Sequence, residues 1–489
     1  MDINWTSEQL VFLDCTAPLI RLRAFAGASK TTSLEGYSRR YPKLRFLYLA
    51  YNKSIRDEAK NRFPSNVFCA TTHQLAYRSY RAKFEHKLEG ALRLGDMAKV
   101  LETNDWTLVR AVVDMVSNFL CSPLDVFHES HIPIINRKPG SQMPPSFLEV
   151  LFKMAEDLWA RMIDPEDSSV PILHDGYLKL YLLSKPDLSR QYDVILADEA
   201  QDLNGLTLEL IKMQSCRKIF VGDRHQVLYR FRGADNALDD PELNDAVDLN
   251  LTRSFRFGPA TASLANMILS FKGETLKVVG AGARTKIKTA LDSTAKRPAL
   301  LHRTVMGVIT SALDFTAAGR KVYWVGGIDG YQISNIEDLY WFSEGQSQKV
   351  KNKRLLKEFN DWDQYLAIAE ETKDREMVRA IKIITGSDDL EGKLRQMRAM
   401  TVKDESLADI TLATAHRSKG LEWDNVALMD DFPDPLDPLM DHGSREDELA
   451  LLYVATTRAR HQLAVNQVVI GLMRECTYRQ RLAASQSQA

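Results

Sequence analysis

Two short stretches carry residues whose types and spacing suit phosphate chemistry. "AFAGASKTT", Ala24 to Thr32, puts Lys30 and Thr31 where the pattern G-x-x-x-x-G-K-[ST] has its lysine and hydroxyl, but Ala24 and Ser29 replace both glycines. Phosphate oxygens are bound by N–H groups at a helix N-terminus, by the lysine ammonium and by Mg²⁺ held on the hydroxyl. None of these is a glycine side chain. A serine keeps its N–H, at a strain cost of roughly 1 kcal/mol where its φ is positive. On its own the stretch leaves a nucleotide loop and a chance small-residue turn equally open. "VILADEAQD" ends a second apolar run with Asp198 and Glu199. The first carboxylate suits metal ligation and the second activation of a water, although a capped strand-to-helix turn would use the same residues. Combined with Lys30 and Thr31, the pair supplies the second half of a nucleotide hydrolase, expected on neighbouring strands.

A third stretch, "VGDRHQVLYRFRGA", places Gln226 ahead of Tyr229, Arg230, Phe231 and Arg232. Aromatics interleaved with arginines provide stacking platforms and phosphate contacts for a single nucleic-acid strand.

The elements that must hold these residues are short apolar runs ending in polar chemistry: Arg45–Asn52, Asp193–Ala200, Lys218–Asp223, Ala299–Arg303, Val322–Gly327, Ile410–His416 and Asn425–Asp431. Runs of this kind alternating with helical segments predict parallel α/β sheets, with ligands at the carboxyl ends of the strands. Between Tyr77 and Gln191 the signal is helical. Leu108, Val109, Val112, Val113, Val116, Phe119 and Leu120 fall at three-and-four spacing, which predicts an amphipathic helix. A second block, about Tyr331 to Glu405, contains "KVKNKRLLKEF" and "EETKDREMVRAIKII", and its charge runs are expected to be a solvated helix face.

The 489 residues suffice for roughly three ordinary domains. Lys plus Arg (64) nearly balances Asp plus Glu (65), so a polyanion would have to be met by a local arrangement of cations. Five scattered cysteines without C-x-x-C spacing argue against a disulfide framework or zinc site and predict a reducing compartment. No apolar run approaches membrane-spanning length, so neither secretion nor membrane insertion is expected.

With these motifs and the ones between them in order, the chain resembles UvrD/Rep/PcrA-type superfamily 1A DNA helicases. "AFAGASKTT", "AYNKSIRDEA" and "SFRFGP" most resemble the branch containing the F-box DNA helicases, although no F-box is recognisable. The resemblance runs over almost the whole chain and implies a role for each motif. "WTSEQ" makes Gln9 the adenine reader, and Ala26, Gly27, Ala28, Ser29 and Thr32 line the phosphates beside Lys30 and Thr31. Thr31 and Asp198 hold Mg²⁺, Glu199 activates water and Gln226 meets the γ-phosphate. "AYNKSIRDEA" and "ATTHQLAYR" touch the DNA strand through Tyr51, Asn52, Lys53, Thr72 and His73. Tyr229, Phe231 and Arg232 join them, with Phe231 at a base-stacking position where many relatives carry Trp. "LTRSFRFGP" places Phe255 on adenine and Arg256 on the γ-phosphate. "TAHRSKGLEW" implies Thr414 and His416 for the DNA backbone, Gly420 beside the nucleotide and Glu422 for the ribose. "ELALLYVATTRAR" offers Arg458 as a second arginine for the γ-phosphate.

The expected fold is α/β, with two recA-like parallel-sheet P-loop NTPase domains each bearing a mainly helical insertion. The first would comprise 1–76 and 191–250 with insertion 77–190, and the second 251–330 and 405–489 with a reduced insertion, 331–404. The implied activity is ATP- and Mg²⁺-dependent 3′-to-5′ movement on single-stranded DNA and its junctions with duplex, with ATP closing a cleft between the two domains. A repair or recombination role follows from the resemblance. An ATP-gated clamp with little turnover, motivated by Ser29, and a motor that strips recombinase or other proteins from DNA are the rival readings. A monomer is favoured, placed in the cytoplasm for a bacterial or phage source and in the nucleus for a eukaryotic one.

Overall fold

The computed structural model describes residues 3–50, 52–133, 144–228, 236–372, 375–386 and 388–486. The chain forms two compact units. Ser29–Leu251 and the residues up to Phe25 make the first; Thr252 onward, together with Ala26–Ala28, makes the second.

In the first unit β1 (Leu19–Ala24), β2 (Phe46–Leu49), β3 (Val67–Ala70), β4 (Val194–Ala197), β5 (Arg217–Gly222) and β6 (Val247–Leu251) form a wholly parallel sheet in the order β3-β2-β4-β5-β1-β6. The runs FLYL and VILA, β2 and β4, are buried at every residue, as a strand covered on both faces requires. β5 lies between β1 and β4. The phosphate-loop strand and the acidic-pair strand are therefore not neighbours, contrary to the expectation from sequence. The intervening strand adds its own polar end, Asp223 and Gln226.

The helical block between β3 and β4 follows its periodicity. Helix Trp106–Cys121 is capped by Asp105, whose carboxylate accepts from the Thr107 and Leu108 N–H groups, and all seven residues of the apolar stripe are buried. It packs on Pro145–Ile163 and His174–Leu183. Their apolar faces join Leu47, Leu49 and Ile195 of the sheet in one continuous core.

The second unit carries β7 (Arg253–Ser254) and β8 (Val279–Gly280) as a small pair. Its main sheet holds β9 (Lys286–Lys288), β10 (Ala299–His302), β11 (Val322–Trp324), β12 (Thr401–Val402), β13 (Ile410–Thr414), β14 (Trp423–Leu428) and β15 (Ala459–Ala464), all parallel in the order β12-β11-β13-β10-β14-β15-β9. Between β11 and β12 run several helices, among them Ile333–Ser343, Arg375–Thr385 and Leu390–Ala399, which share a core with Val308, Trp324 and Leu412. In the charged run Val350 and Leu355 are buried while Lys351–Arg354 face solvent. Each unit is thus a recA-like parallel sheet with helices inserted between strands. All five cysteines are free, and among the described residues no helix is long and apolar enough to cross a membrane.

Candidate nucleotide site and nucleic-acid contacts

β1 runs through a turn into helix Lys30–Arg40. Within that turn Gly27 has φ +74°, Ala26 and Ala28 are buried, and Ser29 stands at φ 58°, ψ 41° as the helix N-cap. Ser29 thus occupies the left-handed conformation for which glycine is the low-cost residue. Its side chain makes no capping bond to the helix, so it does not compete for the first-turn N–H groups that suit an anion.

The first two side chains of the helix reach the acidic pair. Lys30 Nζ lies 3.0 Å from Glu199 Oε1. Asp198, 2% exposed, accepts three hydrogen bonds: Thr31 Oγ1 (3.2 Å) and the Tyr48 hydroxyl (2.7 Å) donate to Oδ2, and the Glu199 N–H (2.9 Å) donates to Oδ1. Burial and the neighbouring Glu199 push the Asp198 carboxyl above its usual range, against the opposing pull of Lys30, Tyr48 and the Glu199 N–H. Burial opposes the charge on Lys30, but Glu199, Asp198 and Asp223 outweigh it and hold the ammonium more firmly protonated than usual. Glu199 is itself left-handed, at φ 50°. A hydroxyl and a carboxylate in contact, in a site with more negative than positive side chains, are the hard-oxygen donors that suit Mg²⁺ completed by phosphate oxygens. Thr31 and Asp198 would hold it.

The network continues through a residue to which the sequence reading gave no role. Gln201, fully buried, donates from Nε2 to Glu199 Oε2 and accepts the Asp223 N–H on Oε1 at 3.1 Å. Asp223 Oδ2 in turn accepts from Gln226 Nε2 at 2.6 Å. A Cβ on Gly222 would stand 2.2 Å from Gln201 Oε1, so this glycine makes room for the link. Gln201 lies inside "DEAQD", where a polar residue beside two carboxylates was a usable signal. Tyr48, inside an apolar run, gave none.

Gln9 is placed differently from a free base reader. Its Oε1 accepts the Thr6 N–H (3.0 Å) and its Nε2 donates to Ser33 Oγ (3.1 Å), leaving the amide 3% exposed. Ser33 Oγ donates to the Ser29 carbonyl at 3.0 Å, tying Gln9 to the loop. Thr32 Oγ1 accepts from Arg62 Nη2 at 3.1 Å.

Of the nucleic-acid candidates in this unit, Asn52 caps helix Lys53–Arg62 through the Ile55 N–H, and both Asn52 and Lys53 are exposed. Thr72 begins helix Thr72–Phe84 and is buried, and His73 Nε2 is 2.9 Å from Asp175 Oδ1. Tyr51, Tyr229, Arg230, Phe231 and Arg232 lie outside the described residues.

In the second unit Arg256 Nε donates to Glu422 Oε2 at 2.6 Å, and Arg460 Nη1 is 3.4 Å from Glu422 Oε1. Phe255 is 44% exposed, free to present a ring face, and Gly420 takes φ +83°. Arg458 is 1% exposed, and its guanidinium donates to the Val454 and Leu421 carbonyls and to Thr457 Oγ1. Thr414 Oγ1 accepts the Arg417 N–H at 3.4 Å. Burial, aided by Arg303, lowers the His416 imidazole to about 4 and keeps it neutral.

Two family models match this chain: the UvrD/REP helicase N-terminal domain over residues 172–239 and the UvrD-like helicase C-terminal domain over residues 283–468. The chain belongs to the UvrD-like helicase family. Relatives of this UvrD-like chain include F-box DNA helicase protein 1 of Schizosaccharomyces pombe, 30% identical over 96% of this chain and 58% of the relative. F-box DNA helicase 1 of Gallus gallus is 29% identical over 93% and 48%. ATP-dependent DNA helicase UvrD2 of Mycobacterium tuberculosis is 26% identical over 56% and 47%. The UvrD-like chain therefore spans about half the length of the curated relatives it matches.

Proposed function

We propose that the chain is an ATP-dependent DNA motor that moves 3′ to 5′ on single-stranded DNA, with a role in repair or the control of recombination. The observation that carries the hydrolase reading is the network from Lys30 and Thr31 through Asp198 and Glu199 to Gln226. The names of the relatives supply DNA and ATP, and the polarity rests on the family resemblance.

In this reading residues 1–76 and 191–250 form the ATP-binding domain and 251–330 with 405–489 the second motor domain, with 77–190 and 331–404 as insertions. Lys30 binds the phosphates, and Glu199 takes the proton of the attacking water. Gln226, its amide oriented by the bond to Asp223, contacts the γ-phosphate. Phe255 holds the base, which Gln9 reads with the second N–H and second lone pair that Ser33 and Thr6 leave to its amide, and Glu422 holds the ribose. Arg256 and Arg458 stabilise charge on the transferring phosphoryl group. Mg²⁺, held through Thr31 and Asp198, supplies charge neutralisation at the phosphate oxygens when bound. Closure of the two domains on the nucleotide shifts the grip of Asn52, Lys53, His73 and Phe231 on successive nucleotides.

ATP hydrolysis measured with and without single-stranded DNA, then unwinding of duplexes with matched 3′ or 5′ tails, tests the whole reading. DNA-stimulated turnover and opening of 3′-tailed duplex are expected. Efficient opening of only 5′-tailed duplex reverses the polarity, and turnover indifferent to DNA removes the motor.

A further inference from the structure

We propose that Tyr48 is a positioning residue for the metal-binding pair Thr31 and Asp198, an inference that rests on the nucleotide hydrolase reading above. Tyr48 lies in the middle of β2, where it pairs with Leu196 of β4 in the parallel ladder. Residues two apart on a strand share a face, so Asp198, just past the end of β4, stands diagonally ahead of Tyr48 on one side of the sheet. A phenol is long enough to cover that diagonal, and its hydroxyl reaches Asp198 Oδ2 at 2.7 Å. A leucine or valine at this position would fill the core and stop short.

The ring is fixed. Tyr48 is 0% exposed and packs against Phe63 with centroids 4.8 Å apart. A rigid donor locks the carboxylate in one rotation, with Oδ1 taken by the Glu199 N–H and Oδ2 shared by Tyr48 and Thr31. Thr31 donates its only hydroxyl hydrogen to Asp198, so the orientation of the carboxylate decides where the lone pairs of Thr31 Oγ1 point. Tyr48 therefore acts on a cation through two other residues, touching neither cation nor nucleotide. Partners at this remove from a metal tune its affinity by about 10–100-fold.

The test uses the full chain with Tyr48→Phe, which keeps the ring and removes the hydroxyl. A fluorescent ATP analogue is titrated at a series of Mg²⁺ concentrations and again in excess chelator. The expected result is a rise of about tenfold or more in the Mg²⁺ concentration for half-maximal binding, with chelator-only affinity and melting temperature unchanged. An unchanged Mg²⁺ midpoint, in a protein whose wild type is Mg²⁺-dependent, overturns the proposal while leaving the hydrolase reading intact. Wild-type binding that ignores Mg²⁺ overturns both. If Tyr48→Phe melts early, 3-fluorotyrosine placed at position 48 retains the hydroxyl. Its fluorine resonance should move along the Mg²⁺ titration of the nucleotide complex, and a resonance that stays still overturns the proposal.

Discussion

The Lys30 ammonium and the Glu199 carboxylate are paired at 3.0 Å, so the residues read as phosphate binder and water activator hold one another. Each neutralises a charge that the other's removal would expose.

Glu199→Gln should therefore do more than stop chemistry. Losing the general base should lower turnover by about 10²–10⁴-fold, while releasing Lys30 to the phosphates should leave ATP affinity equal to or tighter than wild type. Lys30→Ala should weaken ATP binding. Equilibrium binding of a fluorescent ATP analogue and phosphate-release rates on the same preparations check both. Wild-type turnover in Glu199→Gln would remove Glu199 from the mechanism.

Ser29 carries left-handed strain with no capping bond to offset it. Ser29→Gly should relieve roughly 1 kcal/mol of native-state strain, although the glycine loses up to about 1 kcal/mol through its freer unfolded chain. The net effect on melting temperature should be small, and ATP turnover should rise mildly as the loop gains room. A turnover drop of about tenfold, equivalent to about 1.4 kcal/mol of barrier, would show that the hydroxyl has been recruited to a phosphate oxygen.

The two arginines demand different substitutions. Arg256 meets the Glu422 carboxylate at the surface of its unit, and Arg256→Ala should cost on the order of 10³-fold in DNA-stimulated turnover with little change in melting temperature. Arg458 is buried on backbone carbonyls, and truncation to alanine would strand them at about 1–3 kcal/mol each. Arg458→Lys is the cleaner probe. Turnover should fall with the fold retained, and unfolding of Arg458→Lys near ambient temperature would mark Arg458 as structural.

Acid should weaken the second unit. His302, at the end of β10, is 3% exposed, and burial lowers its imidazole from 6.5 to about 4, with Asp431 raising it and Arg379 lowering it further. The folded pKa lies below the unfolded one, so the unfolded chain takes the proton more readily. The stability His302 contributes is fully present above pH 6.5 and is lost progressively as pH falls toward 4, by about 3 kcal/mol for the whole shift. Urea unfolding at pH 7 and pH 4.5 should show the loss, and His302→Gln should flatten it. An equal slope in the variant would assign the loss to other groups.

The seven strand-like runs in the sequence are all strands, because apolar runs buried on both faces declare themselves. β6 and β15 gave no such signal, and neither did the short strands β3, β7, β8, β9 and β12. VDLNL places polar residues at alternate positions and ARHQLA places three in a row, and in β1, LIRLRA, the buried Arg21 is accommodated by Asp248 of β6 beside it in the parallel ladder and by the Leu238 carbonyl. Strand order was equally hidden. No local pattern says that β5 separates β1 from β4, since that order is settled by crossover packing across long stretches of chain. The site residues were legible where their chemistry is exposed at strand ends. Tyr48 was not, since a tyrosine in an apolar strand reads as core until its hydroxyl is followed to Asp198. Gln9 shows the opposite limit, a motif residue whose amide turns out to be partly taken by Thr6 and Ser33.

The helices between β3 and β4 have no hydrophobic interior of their own, since Val112 and Phe119 belong to the same cluster as Leu47 and Ile195. Amides in helix Trp106–Cys121 and in β4 should consequently exchange with solvent deuterium through one shared opening event, as a single cooperative foldon. A destabilising change deep in the helical block would be felt as looser protection at the strand that carries the acidic pair. Grafting this block onto another scaffold would then require transplanting the sheet residues that complete its interior.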